Sequence, residues 1–194
     1  MIKHNPYIIL SKPQLGENIG STARAMKNFG IDRLRLIEPR DGWPNTSSYA
    51  ISAGADDILD NLECFSSLDK ASHDISLLIA TTARKRVIGT KALNIFEAVS
   101  KAYQHAINGG KVGFLFGPEQ SGLSNDDVVQ ADCTISIPLN KDFSSLNLSQ
   151  AVLLICWEWN KIKISDQGIN ENEVLVNKKL KKSTELSNVG DREY

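Results

Sequence analysis

Cysteine, histidine and net charge are all scarce in this chain, and each scarcity closes off a class of function. Among 194 residues there are three cysteines, Cys64, Cys133 and Cys156, far apart and set among apolar neighbours. An odd count without C-x-x-C spacing reads as reduced core thiols in a cytosolic chain, not as a disulfide frame or a zinc site. The three histidines, His4, His73 and His105, are equally scattered, so surface or capping roles are expected and no metal. The formal net charge is -1, which excludes recognition of nucleic acid by bulk charge while leaving room for a local basic patch. The N-terminal apolar run, Tyr7 to Leu10, is far too short to span a membrane, and no signal peptide precedes it. The expectation is a soluble, cytoplasmic protein without membrane contact.

The familiar glycine fingerprints are also missing. There is no Rossmann G-x-G-x-x-G and no Walker A G-x-x-x-x-G-K-[ST]; Gly16 and Gly20 sit near a helix start with the wrong spacing. A nucleophile elbow is absent, and no Ser, His and acid can be nominated as a triad. Dinucleotide, nucleoside triphosphate and serine-hydrolase chemistry are therefore disfavoured.

What is present is an alternation of short apolar runs and helical segments. Tyr7 to Leu10, Leu34 to Ile37, Asp74 to Thr81, Lys111 to Phe116 and Cys133 to Ile137 have the continuous apolar character of strands buried on both faces. A weaker helix is expected at Ser47 to Ala53 and a short strand at Glu63 to Phe65. Asn18 is placed as an N-cap for a helix running to Phe29, with Gly30 after its end. Asn94 to Glu97 and Ser124 to Asp127 have the form of capping boxes. The last helix carries Leu148, Ala151, Val152, Ile155, Trp159 and Ile162 on one face, and Leu153, Leu154 and Cys156 make it apolar on much of the rest, so burial by the core and by a second subunit is expected. The fold class is α/β, a mainly parallel sheet with flanking helices. Residues 1–163 form the principal domain, and 164–194, with the Lys178 to Lys182 cluster, a short polar tail, solvated or frayed.

In an open parallel sheet, ligands bind beyond the carboxyl ends of the strands. Four loops gather there: Ser11 to Asn18, Thr81 to Arg86, Gly117 to Gly122 and Pro138 to Asn147. They offer small side chains and backbone groups, with one acid, Glu119, and one arginine, Arg24, on the first helix. Such a set suits an adenosine-containing cofactor held by main chain. The cations Arg84, Lys85 and Arg86 beside it suit RNA phosphate contact. Each residue also has an ordinary alternative: Arg24 as an exposed helix residue, Glu119 as a cap, Ser144 and Ser145 as turn residues.

Three segments, in order, decide between these. Asn18-Ile19-Gly20-Ser21-Thr22-Ala23-Arg24-Ala25-Met26, then Phe116-Gly117-Pro118-Glu119-Gln120-Ser121-Gly122-Leu123, then Ile137-Pro138 with Ser144-Ser145-Leu146-Asn147-Leu148 resemble the three motifs of the SpoU/TrmH family. Members are S-adenosylmethionine-dependent RNA 2′-O-ribose methyltransferases of the SPOUT fold, and the likeness, over Tyr7 to Trp159, is nearest to the TrmJ branch. The resemblance implies a C-terminal deep trefoil knot, which periodicity would never suggest. It implies S-adenosyl-L-methionine contacts at Thr81, Thr82, Ala83, Gly117, Ile137, Ser144, Ser145 and Leu146. Catalytic roles fall on Arg24 and Ser145, with Asn18, Glu119, Asn147, Arg84, Lys85 and Arg86 as substrate or support residues. The implied substrate is tRNA, at anticodon-loop position 32, with rRNA as alternative; a homodimer is implied, and a site shared between subunits would follow if dimerisation brings Arg24 near the partner's cofactor. An arginine, with a pKa above ~12, is a poor general base, so Arg24 is read as a clamp on the adjacent phosphate.

The sequence departs from the family twice. Gln120 stands where an arginine commonly follows the motif glutamate, and a short polar tail stands where the TrmJ branch has a longer extension. Both features favour a second reading, a non-catalytic RNA-binding or cofactor-binding relic.

Overall fold

The computed structural model describes residues 4–82, 91–140, 142 and 145–168. The chain divides into a unit from Met1 to Trp159 and a second from Asn160 to Tyr194, of which the described part, 160–168, holds the last turns of a helix.

Seven strands form one sheet: β1 (Tyr7–Ser11), β2 (Arg33–Ile37), β3 (Glu63–Phe65), β4 (Leu77–Thr81), β5 (Lys91–Leu93), β6 (Val112–Phe116) and β7 (Cys133–Ile135). Their order is β3-β2-β1-β6-β4-β7-β5, and every pairing is parallel. The helices are α1 (Gly16–Asn28), α2 (Thr46–Ser52), α3 (Asp56–Asp60), α4 (Leu68–Ser72), α5 (Ile95–Ile107), α6 (Asn125–Val129) and α7 (Leu148–Asp166). The central strands β1 and β6 are apolar runs, Ile8 to Leu10 and Phe114 to Phe116 being 0–1% exposed, as burial of a parallel sheet on both faces requires. Trp159 of α7 anchors the core, its ring edge-on to Tyr103 of α5 at 5.3 Å and to Phe114 of β6 at 6.2 Å.

Both expected capping boxes form, at Asn94 with Glu97 and at Ser124 with Asp127. Other expectations need correction. Asn18 is not an N-cap: α1 begins at Gly16, its cap position is Leu15, and no side chain caps it. The helix starts earlier because Asn18 is drawn into contacts of its own, described below. The strand expected from Asp74 begins at Leu77, since Asp74 is held in the preceding turn by Arg35 and Lys111 at 2.6 and 2.8 Å. Cys64 is exposed, whereas Cys133 and Cys156 are buried; burial pushes the Cys156 thiol up to about 12, which leaves it inert.

Glycine has a steric task in α1. A Cβ at Gly20 would collide with the Ser48 carbonyl, and one at Gly16 with the Asn45 side chain. α2 therefore lies directly on α1, and Ser48 Oγ donates to the Gly16 carbonyl at 2.8 Å.

Candidate active site

Because every strand is parallel, the segments that leave β1, β4, β6 and β7 emerge on one edge of the sheet. In register, Leu10 lies opposite Phe116, Ala80 opposite Leu115, and Thr81 opposite Ile135. The chain ends of four neighbouring strands thus stand side by side, and loops of small residues can close over them.

A cavity of about 310 Å³ lies there, at the lower end of the range for small-molecule sites. Thr81 and Thr82 form its floor; Gly117 to Leu123 form one wall, and Ile137, Leu139, Ser145 and Leu146 the other, with Leu148 and Ala151 of α7 behind. Thr81 Oγ1 donates to the Leu115 carbonyl at 2.9 Å, and Thr82 N donates to the Ile135 carbonyl at 2.9 Å, so the floor is fixed to β6 and β7. Gly117 lets the 117–123 loop fold back on itself: a Cβ there would strike the backbone of Gly122 and Leu123. The loop closes with Gly122 N donating to the Pro118 carbonyl at 2.8 Å, Gly122 taking a left-handed φ of 66° that favours glycine.

One carboxylate belongs to this lining, and its partners are all on the β1 side. Glu119 Oε2 accepts from Gln14 N at 2.8 Å; Oε1 accepts from Leu15 N at 3.3 Å and from Asn18 Nδ2 at 2.7 Å. Asn18 is 6% exposed, and its Oδ1 accepts from Asn147 Nδ2 at 2.9 Å. Asn147 Oδ1 accepts in turn from Ser149 N at 2.9 Å, capping α7. Glu119 is therefore committed as an acceptor and reads as a fastener between loops. Arg40, in the loop after β2, touches the same region, Arg40 N donating to the Pro13 carbonyl at 3.0 Å. Its guanidinium is held above its usual range first by its hydrogen bond to Asp41 and, least of the favourable causes, by the charge of Glu119.

Of the residues singled out from the sequence, Thr81, Thr82, Gly117, Glu119, Ile137, Ser145 and Leu146 line the cavity, and Asn18 and Asn147 join its back. Arg24 does not line it. That residue lies on the exposed face of α1 with Glu17 and Asn28; no residue of α1 contributes to the lining. Ala83, Arg84, Lys85, Arg86 and Ser144 lie outside the described residues. The apolar lining residues Leu139, Leu148 and Ala151 escape the sequence reading, because each looks like an ordinary core position there. Among the described residues no cluster of acids, histidines and cysteines could hold a metal ion, and no helix is long and apolar enough to cross a membrane.

Comparison with known proteins adds an independent line. Residues 5–157 match the family described as SpoU rRNA Methylase family. A tRNA (cytidine/uridine-2′-O-)-methyltransferase TrmJ from Sodalis glossinidius is 37% identical over 175 residues, covering 88% of this chain and 68% of that protein. The crystal structure of TrmJ from Z. mobilis ZM4 superposes with a TM-score of 0.77 at 48% identity, covering 80% of this chain and 68% of that one. The SpoU methyltransferase AviRb from Streptomyces viridochromogenes, solved in complex with AdoMet, shares the fold at 22% identity and a TM-score of 0.65, covering 84% of this chain and 59% of its own. The chain spans roughly three fifths to two thirds of the length of the curated relatives it matches.

Proposed function

From the premise that this chain belongs to the SpoU rRNA methylase family, we propose that it is an S-adenosylmethionine-dependent RNA 2′-O-ribose methyltransferase acting on tRNA, at position 32 of the anticodon loop. The observation that carries the reading is the convergence of two separated segments on one cavity and their joint attachment to a third behind it. Glu119 and Gly117 come from the loop after β6, Ser145 and Leu146 from the loop before α7, and Asn18 from α1, tied together by hydrogen bonds of 2.7 and 2.9 Å. Relatives at 34–37% identity named tRNA 2′-O-methyltransferases supply the substrate class.

The residues present fit the cofactor. Gly117, Thr81 and Thr82 leave room for an adenosine close to main chain, and Leu139, Leu146 and Leu148 give it an apolar wall. When bound, S-adenosylmethionine supplies an electrophilic methyl group. The chain's own task is to bring a ribose 2′-hydroxyl into line with that group, which favours transfer by proximity and orientation. The Arg24 guanidinium clamps the neighbouring phosphate through two parallel hydrogen bonds. Ser145, an exposed residue of the cavity lining, orients the hydroxyl and passes its proton to a phosphate oxygen or water. Ala83 and Ser144 complete the cofactor contacts, and Arg84, Lys85 and Arg86 contact RNA phosphates.

The enzyme works as a cytoplasmic homodimer with the knotted topology of its family, and residues 1–163 are its catalytic domain. The position of Arg24 supports the dimer: it lies on a helix face that does not reach its own cavity. The neighbouring helix α7 adds two exposed apolar side chains, Leu153 and Trp157.

The test is incubation of the purified protein with labelled S-adenosylmethionine and total tRNA, followed by nucleoside mapping. Label at 2′-O-methylated position 32 is expected. Label in rRNA alone would sink the tRNA assignment, and cofactor binding without label in any RNA would favour a non-catalytic relic, the reading to which Gln120 points.

A further inference from the structure

The hydrogen bonds behind the cavity have a direction that chemistry imposes. Glu119 accepts from Gln14 N and Leu15 N, so its carboxylate can only accept from Asn18. Asn18 must then present its amide Nδ2 to Glu119, at 2.7 Å, and is left with Oδ1 facing Asn147. Asn147 must in turn present Nδ2, which leaves its own Oδ1 to receive Ser149 N at 2.9 Å and Ser149 Oγ at 2.7 Å. Reversing the Asn18 amide would place two acceptors face to face on one side and two donors on the other at a buried position, where unmade hydrogen bonds are costly.

We propose that Asn18 is a positioning residue for the methyl-transfer site: a one-way relay from the α7 N-terminus through Asn147 and Asn18 to Glu119 latches both cavity walls to the helix that carries Arg24. The proposal rests on the methyltransferase reading for its consequence, but its geometry does not. Ser145 and Leu146, in one wall, are next to Asn147 in sequence; Gln120 and Ser121, in the other, follow Glu119. Arg24 lies six residues beyond Asn18 on α1, about 9 Å along the axis. Among the described residues Asn18 is therefore the buried side chain that joins all three segments, and no other amino acid offers one donor and one acceptor in this planar arrangement at this size.

The charge-changing isostere exposes the relay. In Asn18→Asp, a carboxylate oxygen faces Glu119 and like charges repel. Two carboxyls in contact share a proton at a raised pKa; once the introduced carboxyl is protonated its hydroxyl can donate to Glu119 as Asn18 Nδ2 does, and its other oxygen still accepts from Asn147. Among the described charged groups, Arg40 faces Glu119 from the loop after β2, already paired with Asp41. Glu17 precedes Asn18 on the exposed side of α1, and the start of α7 presents Asn147, Ser149 and Gln150 there, none of them charged.

Two readouts separate the relay from the enzymatic reading. Thermal unfolding of wild type, Asn18→Asp and Asn18→Ala is followed from pH 8 to pH 5.5, and S-adenosylhomocysteine binding is measured by calorimetry at the same pH values. The Asp variant should bind about 10-fold more weakly than wild type at pH 8, as repulsion misplaces the walls, and recover to within about 3-fold at pH 5.5 as the shared proton is taken up. Its unfolding temperature should approach the wild-type value over the same interval, while the Ala variant shows a constant deficit. Where Asn18→Asp is too unstable to purify, the double variant Asn18→Asp/Glu119→Gln makes the test, since a glutamine amide can donate to the introduced carboxylate and the pH dependence should disappear. A pH-independent loss in Asn18→Asp equal to that of Asn18→Ala, no loss in it at pH 8, or a double variant as weak as Asn18→Ala overturns the relay. Recovery at low pH in a protein that methylates no RNA leaves the relay standing and removes the functional reading alone.

Discussion

Phe29 and Trp157 meet edge to face, ring centroids 5.8 Å apart, eleven residues along the chain from Asn18 and ten along α7 from Asn147. The two helices thus touch near both ends, like end to like end, and run in the same direction. The exposed face of α1 is polar and includes Arg24, whereas α7 exposes the apolar pair Leu153 and Trp157, 38% and 48% exposed. On one face of a helix, positions four apart stand above one another. A half-exposed tryptophan held by a neighbouring ring is the kind of aromatic anchor found at the centre of protein interfaces.

Leu153→Lys places a cation one helical turn from Trp157 on the exposed side of α7. The expected outcome is a shift from dimer to monomer in light scattering, with loss of methyl transfer and an unfolding temperature close to that of wild type. A variant that remains dimeric and active would show that the two subunits meet elsewhere.

Arg24→Lys keeps the charge and removes the fork. Because Arg24 is exposed and makes no hydrogen bond or ion pair with a described residue, stability should change by less than about 0.5 kcal/mol. The turnover number should fall by about 10- to 100-fold, the cost of losing orientation of the ribose, while affinity for S-adenosylmethionine is unchanged. Turnover near that of wild type would rule out a need for bidentate contact.

Gly20 and Gly117, in the first two motifs, each leave room that a side chain would fill, and their substitution separates helix packing from cofactor binding. Gly20→Ala drives a methyl group into the Ser48 carbonyl and should lower stability by about 1–3 kcal/mol, as overpacking does. Gly117→Ala forces the loop against Gly122 and Leu123 and should weaken cofactor binding more than it lowers stability. Calorimetry and urea unfolding on both variants check the pair; equal effects on binding would contradict this division of roles.

Much of this is legible in the sequence because local rules and tertiary structure agree there. The apolar runs at Ile8 and Phe114 are buried on both faces, and the boxes at Asn94 and Ser124 close as their spacing predicts. The short elements α3, α4 and β5 are not legible, because none of them has the continuous apolar run that reveals equally short strands such as β1 and β6. Asn18 looks like a cap because an asparagine before an apolar helix is usually one, and only the fold brings Glu119, a residue 101 positions away, to its side. Leu139 and Ala151 cannot be told from core by composition, since an apolar ligand wall and a core wall select the same side chains.

A last prediction concerns the buried ion pair that holds the opposite end of the sheet. Arg35, 3% exposed, donates to Asp74 at 2.6 and 3.2 Å and to the Ala71 carbonyl at 2.8 Å, and its guanidinium lies 4.0 Å from the centre of the Tyr7 ring. The hydrogen bond from Arg35, then that from Lys111, holds the Asp74 carboxyl well below the usual carboxylate range, against its desolvation. A carboxyl whose folded pKa is depressed contributes stability at pH values above its unfolded pKa of ~3.9 and gives it up as pH falls toward the folded value. Asp74→Asn leaves the buried Arg35 guanidinium with the exposed Glu63 carboxylate, 3.6 Å from its Nε, as its remaining counter-charge and should cost up to about 3 kcal/mol at pH 7. Below about pH 4 the wild type itself begins to lose this contribution, so the gap should narrow. Urea unfolding of both proteins at pH 7 and pH 3 measures it, and a gap of the same size at the two pH values would mean that Asp74 acts through shape and not through charge.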